Sequence, residues 1–180
     1  MKTVAVAGLL LCALPFGSMA DKPKVTREAI RQAEESLDLK FKGLFAGDPV
    51  PVDVIGLTQG TYINGYGAVF QGELNLAIIA GITPFHPVIT PDELKRMHDR
   101  KLARLPQLRE AMRNMLVDTA ASLTTVSPDD QLAMSVSLFY WKTENREGLP
   151  SQIVMHAPKK VLMQAKAVPA EKASIAIDEF

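Results

Sequence analysis

The sequence predicts an α+β fold: a small, mainly antiparallel four-stranded sheet of two hairpin-like strand pairs, with a long kinked helix and an N-terminal helix packed on one face. Three observations carry this expectation. Two strand-like runs flank Asn64-Gly65, a pair that holds the positive φ angles of a tight hairpin turn. Residues 132–141 alternate, with Leu132, Met134, Val136, Leu138 and Tyr140 in one phase. Between these stretches, residues 91–122 keep a helical apolar spacing, with Pro106 inside.

Taken in order, Thr26 caps the first helix. Ile30, Ala33, Leu37, Phe41 and Leu44 then recur at steps of three and four, and Gly47-Asp48-Pro49 stops the run. Residues 50–63 read as the first strand, bulged where Gly56 and Gly60 interrupt it. The second strand follows the Asn-Gly turn and fades at Ala80-Gly81. It places Phe70, Gly72, Leu74, Leu76 and Ile78 on one face, and Val69, Gln71, Glu73, Asn75 and Ala77 on the other. Residues 81–90 form a loop with Pro84 and Pro87. Thr90-Pro91-Asp92-Glu93 is a capping box with proline at the first helical position. A turn at 127–130 leads into the third strand. Residues 142–150 are a polar loop, 152–157 a fourth strand ended by Pro158, and 159–167 a short closing helix. Residues 168–180, with aromatic character only at Phe180, read as a flexible tail, so 21–167 is expected to be a single globular domain.

Residues 1–20 are read as a secretory signal peptide. Lys2 supplies the positive start, Val4–Leu14 is an apolar run, and Ser18-Met19-Ala20 is a small-x-small cleavage site. The chain is therefore expected to be exported, to a periplasm or the exterior, after cleavage near Ala20. No later run reaches the roughly 20 apolar residues of a membrane span, so no integral membrane segment is expected after cleavage. The sole cysteine, Cys12, lies within the signal. Disulfides, thiolate zinc sites and cysteine nucleophiles are thereby ruled out downstream of it. Acidic and basic residues balance at 20 each, which gives no reason to expect nucleic acid as a partner.

No catalytic motif stands out. His86, His98 and His156 are too far apart for a local metal pair. There is no nucleophile elbow, and Gly65-Tyr66-Gly67 lacks the rest of a phosphate loop. No cofactor or metal is expected. Three surfaces are candidates for binding. Gln71, Glu73 and Asn75 project side by side from one strand at intervals of about 7 Å, with His86 in the following loop. Arg96, Arg100 and Arg104, together with Lys95 and Lys101, crowd the first half of the long helix. Phe139 and Trp141 share a phase at a strand end, where exposed aromatics serve protein contacts. The expected function is an exported, non-enzymatic module that binds a protein partner or an envelope component. Two alternatives stay open. One is an exported hydrolase whose site joins His86 with Glu73 or Asp118. The other is attachment to an anionic membrane through the basic helix.

Overall fold

A computed structural model describes residues 24–78 and 89–180. Residues 1–20, expected to be a signal peptide, and His86, with Pro84 and Pro87, lie outside the described residues. The first helix, α1, spans Arg27–Lys42, and Thr26 Oγ1 accepts the Ala29 amide as its cap. Two short strands follow, β1 (Asp53–Val54) and β2 (Gln59–Ile63), then the long strand β3 (Gly67–Asn75). Helix α2 (Pro91–Ser122) is continuous over 32 residues, about 48 Å, with Pro106 inside it and the expected capping box at Thr90 and Glu93. Strands β4 (Gln131–Leu138) and β5 (Gln152–Pro158) lead into α3 (Lys159–Ala167). A 3-10 helix (Pro169–Ser174) and β6 (Ala176–Glu179) end the chain.

The fold is α+β, but the sheet is mixed and has six strands, in the order β1–β3–β4–β5–β6 with β2 also on β3. β1 and β2 lie end to end along one edge of β3, pairing at Leu74–Asn75 and at Gly67–Gln71 respectively. The expected single bulged strand is thus interrupted between them, at Gly56 with φ +77°. β3 and β4 run parallel, from Gly67 opposite Gln131 to Leu74 opposite Leu138. This corrects the four-stranded, mainly antiparallel expectation. A long helical connection is what a parallel crossover requires, so α2 carries the chain back to start β4 beside the start of β3. Residues 168–180, expected to trail as a tail, carry the 3-10 helix and β6. β6 pairs antiparallel with β5, and the Phe180 carbonyl accepts from Ser151 Oγ at 2.9 Å.

The hairpin is where the sequence places it, with a three-residue loop. The Tyr66 amide donates to Ile63 O at 3.0 Å, and of the Asn64-Gly65 pair only Gly65 has positive φ, +81°. That matches a turn with glycine at its third position.

One core holds α1, α2 and α3 to one side of the sheet. It joins Ile30, Leu37 and Phe41 of α1, Leu108, Met112 and Leu116 of α2, and Leu162 and Ala165 of α3 to Phe70, Leu74, Leu132, Met134, Val136, Ile153 and Met155. The strand residues in this set belong to a single alternating phase. The opposite phase, Gln71, Glu73, Ala133, Ser135, Ser137, Val154 and His156, lies outside the core cluster and forms a face that no described helix covers. Gly72 keeps the layers close, because a Cβ there would sit 3.2 Å from the Phe41 ring.

Polar side chains close what the core cannot. Helix α1 protects the β2 edge: Glu34 accepts the Gly60 amide at 2.6 Å and Asp38 accepts the Thr58 amide at 2.7 Å. Arg27 adds a bond to Gly60 O and one to Glu34. The α2 C-terminus has no basic residue of its own, and Lys159 supplies the missing cation, donating to Leu123 O at 2.6 Å and to Val126 O at 2.7 Å.

Candidate functional site

The uncovered face follows from strand register. Gln71, Ser135, Val154 and Asp178 stand in one cross-strand row, and Glu73, Ser137 and Gln152 in the next. Rows of this kind are about 7 Å apart along the strands, and neighbours within a row about 5 Å apart. Small side chains at Ser135 and Ser137 set a low floor. Gln59, Gln71, Gln152 and the 55–57 turn rise around it and enclose a concavity of about 280 Å³. Gln152 Nε2 donates to Ser135 Oγ at 2.8 Å, which orients the amide and leaves its oxygen as an acceptor. Among the described residues, Glu73 is the one carboxylate lining the concavity, and no lysine or arginine lines it. At the far end of β4, Phe139 continues the Ser135–Ser137 phase, its amide bonded to Leu74 O at 2.8 Å. Trp141 packs edge-on against it, ring centroids 5.3 Å apart and planes 87° to each other. Trp141 remains 56% exposed.

A buried ion pair props up this aromatic end. Lys101 is fully buried and meets Glu144 at 2.6 Å. It also donates to Phe139 O at 3.2 Å and lies over the Tyr140 ring. Glu144 in turn accepts the Trp141 amide at 2.9 Å. Burial pushes the Lys101 ammonium below its ordinary pKa, with Glu144 opposing the shift. Burial also pushes the Tyr140 hydroxyl up to about 12, and that hydroxyl donates to Pro150 O at 2.7 Å. The 139–150 segment is therefore pinned from beneath while Trp141 stays on the surface.

The expected site residues separate into groups. Gln71 and Glu73 meet on the uncovered face, and Phe139 and Trp141 border it. Asn75 does not join them: it is buried, and its side chain turns back to accept the Ala77 amide where β3 ends. Arg96, Arg100 and Arg104 do line one depression, of about 560 Å³, but on the helical side and with Asp48 and Asp99 among them. Asp48 pairs with Arg100 at 2.8 Å and with Arg104 at 2.7 Å. The Arg104 hydrogen bond, foremost, holds the Asp48 carboxyl below its ordinary range. Arg104 is itself only 4% exposed, lies over the Phe45 ring and donates to Val50 O and Leu76 O. Lys95 pairs with Asp99. The expected run of basic charge is thus divided by ion pairs, and two of its members, Lys101 and Arg104, are structural.

Of the hydrolase grouping, His86 lies outside the described residues. Asp118 lies on α2 and bonds Lys40 of α1 at 2.7 Å, on the opposite side of the sheet from Glu73. His98 Nδ1 lies 3.0 Å from Asn145 O, and His156 lies 3.6 Å from Asp178. No group of three histidine, cysteine, aspartate or glutamate residues is placed to hold a metal ion among the described residues. No described helix is long and apolar enough to cross a membrane.

No family model, curated protein or solved structure matches this chain. The site therefore has to be read from its own geometry. Sequence reasoning missed Gln59, Ser137 and Gln152 as partners of Gln71 and Glu73. The phase of Ser135 and Ser137 was visible, but their alignment with Gln71 and Glu73 depends on the parallel register of β3 and β4.

Proposed function

We propose that this chain is an exported, non-enzymatic module that binds a protein partner or another envelope component on the uncovered face of its sheet. One observation carries the reading: α1, α2 and α3 pack on one face, while the other presents aligned polar side chains around a concavity and ends in an exposed tryptophan. Covering both faces is how a sheet of this size would otherwise finish its core. Export is supported by the apolar Val4–Leu14 run followed by Ser18-Met19-Ala20. A non-catalytic role is supported by the concavity having, among the described residues, one carboxylate in its lining. The division of the basic helix by Asp48, Asp99 and Glu144 favours the sheet face over the helix as the contact surface.

Capture from an envelope extract tests this reading. Wild type is expected to retain a partner that Gln71→Arg loses at unchanged melting temperature, while Arg96→Glu keeps it. Retention by Gln71→Arg together with loss by Arg96→Glu would move the binding surface to the helix.

A further inference from the structure

We infer that the ligand of the uncovered face is a short stretch of neutral glycan. This rests on the sheet face being the binding surface and adds the chemistry of what it binds. The lining side chains that can reach a ligand are three amides, Gln59, Gln71 and Gln152, two hydroxyls, Ser135 and Ser137, and one carboxylate, Glu73. Each amide presents donors and acceptors in one plane, and each hydroxyl offers both. Sugar hydroxyls also donate and accept, so adjacent hydroxyls of a ring can be met in pairs by such groups. Among the described residues the concavity has no cationic side chain and one anionic one in its lining, which disfavours phosphate, sulfate and acidic peptides. Its volume of about 280 Å³ is small for a drug-sized ligand and suits a single ring.

The aromatic end supplies what the concavity lacks. A pyranose has hydroxyls around its rim and C–H groups on its faces, and those faces settle on flat apolar rings. Trp141 offers such a ring, and Phe139 and the Lys101–Glu144 pair beneath hold it in place. The line Ser135–Ser137–Phe139 runs about 13 Å, along the end of β4 and one residue past it. That length seats a short oligosaccharide, with one ring in the concavity and another near Trp141. Glycoside hydrolysis takes two carboxyl groups across the bond, and among the described residues Glu73 is the one carboxylate in the concavity, which favours binding over cleavage.

Trp141 is the only tryptophan in the sequence, so the fluorescence of the mature full chain reports on this platform directly. The probes are three linear tetrasaccharides, of β-1,4-linked glucose, α-1,4-linked glucose and β-1,4-linked N-acetylglucosamine. Inorganic phosphate and an acidic peptide serve as controls. At least one tetrasaccharide is expected to give a saturable shift at micromolar to millimolar concentration, and both controls none. By calorimetry, Gln71→Ala and Trp141→Ala should each weaken that binding at least tenfold with folding intact. Three inert tetrasaccharides, or binding indifferent to Gln71→Ala, would overturn the inference. A partner captured from extract in a Gln71-dependent way, with all three sugars inert, would remove the glycan and leave the binding face standing. Independence of Gln71 in both assays would remove both.

Discussion

Replacing Gly67 by alanine should damage this fold far more than the same change two residues earlier at Gly65. Gly67 has φ +137°, and a Cβ built there lies 1.8 Å from Gln131 O. Holding alanine in that backbone region costs about 1–3 kcal/mol. The clash must also push β4 away at its first pair, breaking the 2.7 Å bond from the Gln131 amide to Tyr66 O, about 1 kcal/mol net. The sum is roughly 3 kcal/mol, a large share of the 5–15 kcal/mol typical of a domain. At Gly65, φ is +81° but nothing lies within 4 Å of the added Cβ. Only the left-handed penalty applies there, about 1–2 kcal/mol. Urea and thermal unfolding followed by far-UV circular dichroism should place Gly67→Ala roughly 10 °C below wild type and Gly65→Ala only about 3–7 °C below it. Equal losses at the two sites would refute the close contact of β3 with β4 and, with it, the parallel register.

Other consequences can be measured on the same material. Lys101→Met leaves Glu144 buried without its cation and should cost about 3–5 kcal/mol in urea unfolding, with much of the loss recovered when Glu144→Leu is added. Glu34→Ala frees the Gly60 amide at the β2 edge and should cost about 1–3 kcal/mol, with concentration-dependent association on a sizing column as the edge opens. Acid should destabilise the protein through Glu179 and Asp118, whose carboxyls Arg109 and Lys40 hold below their ordinary values of 4.5 and 3.8. A depressed folded pKa gives stability that is present above the ordinary value and is lost as pH falls through the folded one. Unfolding free energy should therefore drop below about pH 4.5, and Glu179→Gln should soften that drop while costing about 0.5 kcal/mol at pH 7.

Local signals were legible in the sequence. The Thr26 and Thr90 caps, the α1 stripe, the hairpin at Asn64-Gly65 and the alternation of β4 are all properties of neighbouring residues, and each element formed where they place it. The sheet's connectivity was less legible because strand direction is set by what joins the strands. Reading 60–78 and 132–157 as two separate hairpins hid the crossover through α2. β6 was missed because Ile175, Ile177 and Phe180 are isolated in a polar, alanine-rich end, and its pairing needs β5 already in place. The site shows the same division. Gln71 and Glu73 share a face by simple alternation, whereas joining them to Ser137 and Gln152 takes three strands in register. Arg104 looked like surface charge because helical position alone does not reveal that Asp48 and two carbonyls close over it.

The most direct test of a one-sided sheet uses the fact that residues 21–180 contain no cysteine. Gln71→Cys and Val136→Cys, introduced singly, place a thiol on each face of adjacent strands, and both are challenged with a maleimide in the folded state. Gln71→Cys should label as fast as a free thiol, and the bulky adduct should abolish partner capture. Val136→Cys should label only at the rate of unfolding. Slow labelling at Gln71→Cys, or an adduct that leaves capture intact, would contradict a bare face built for binding.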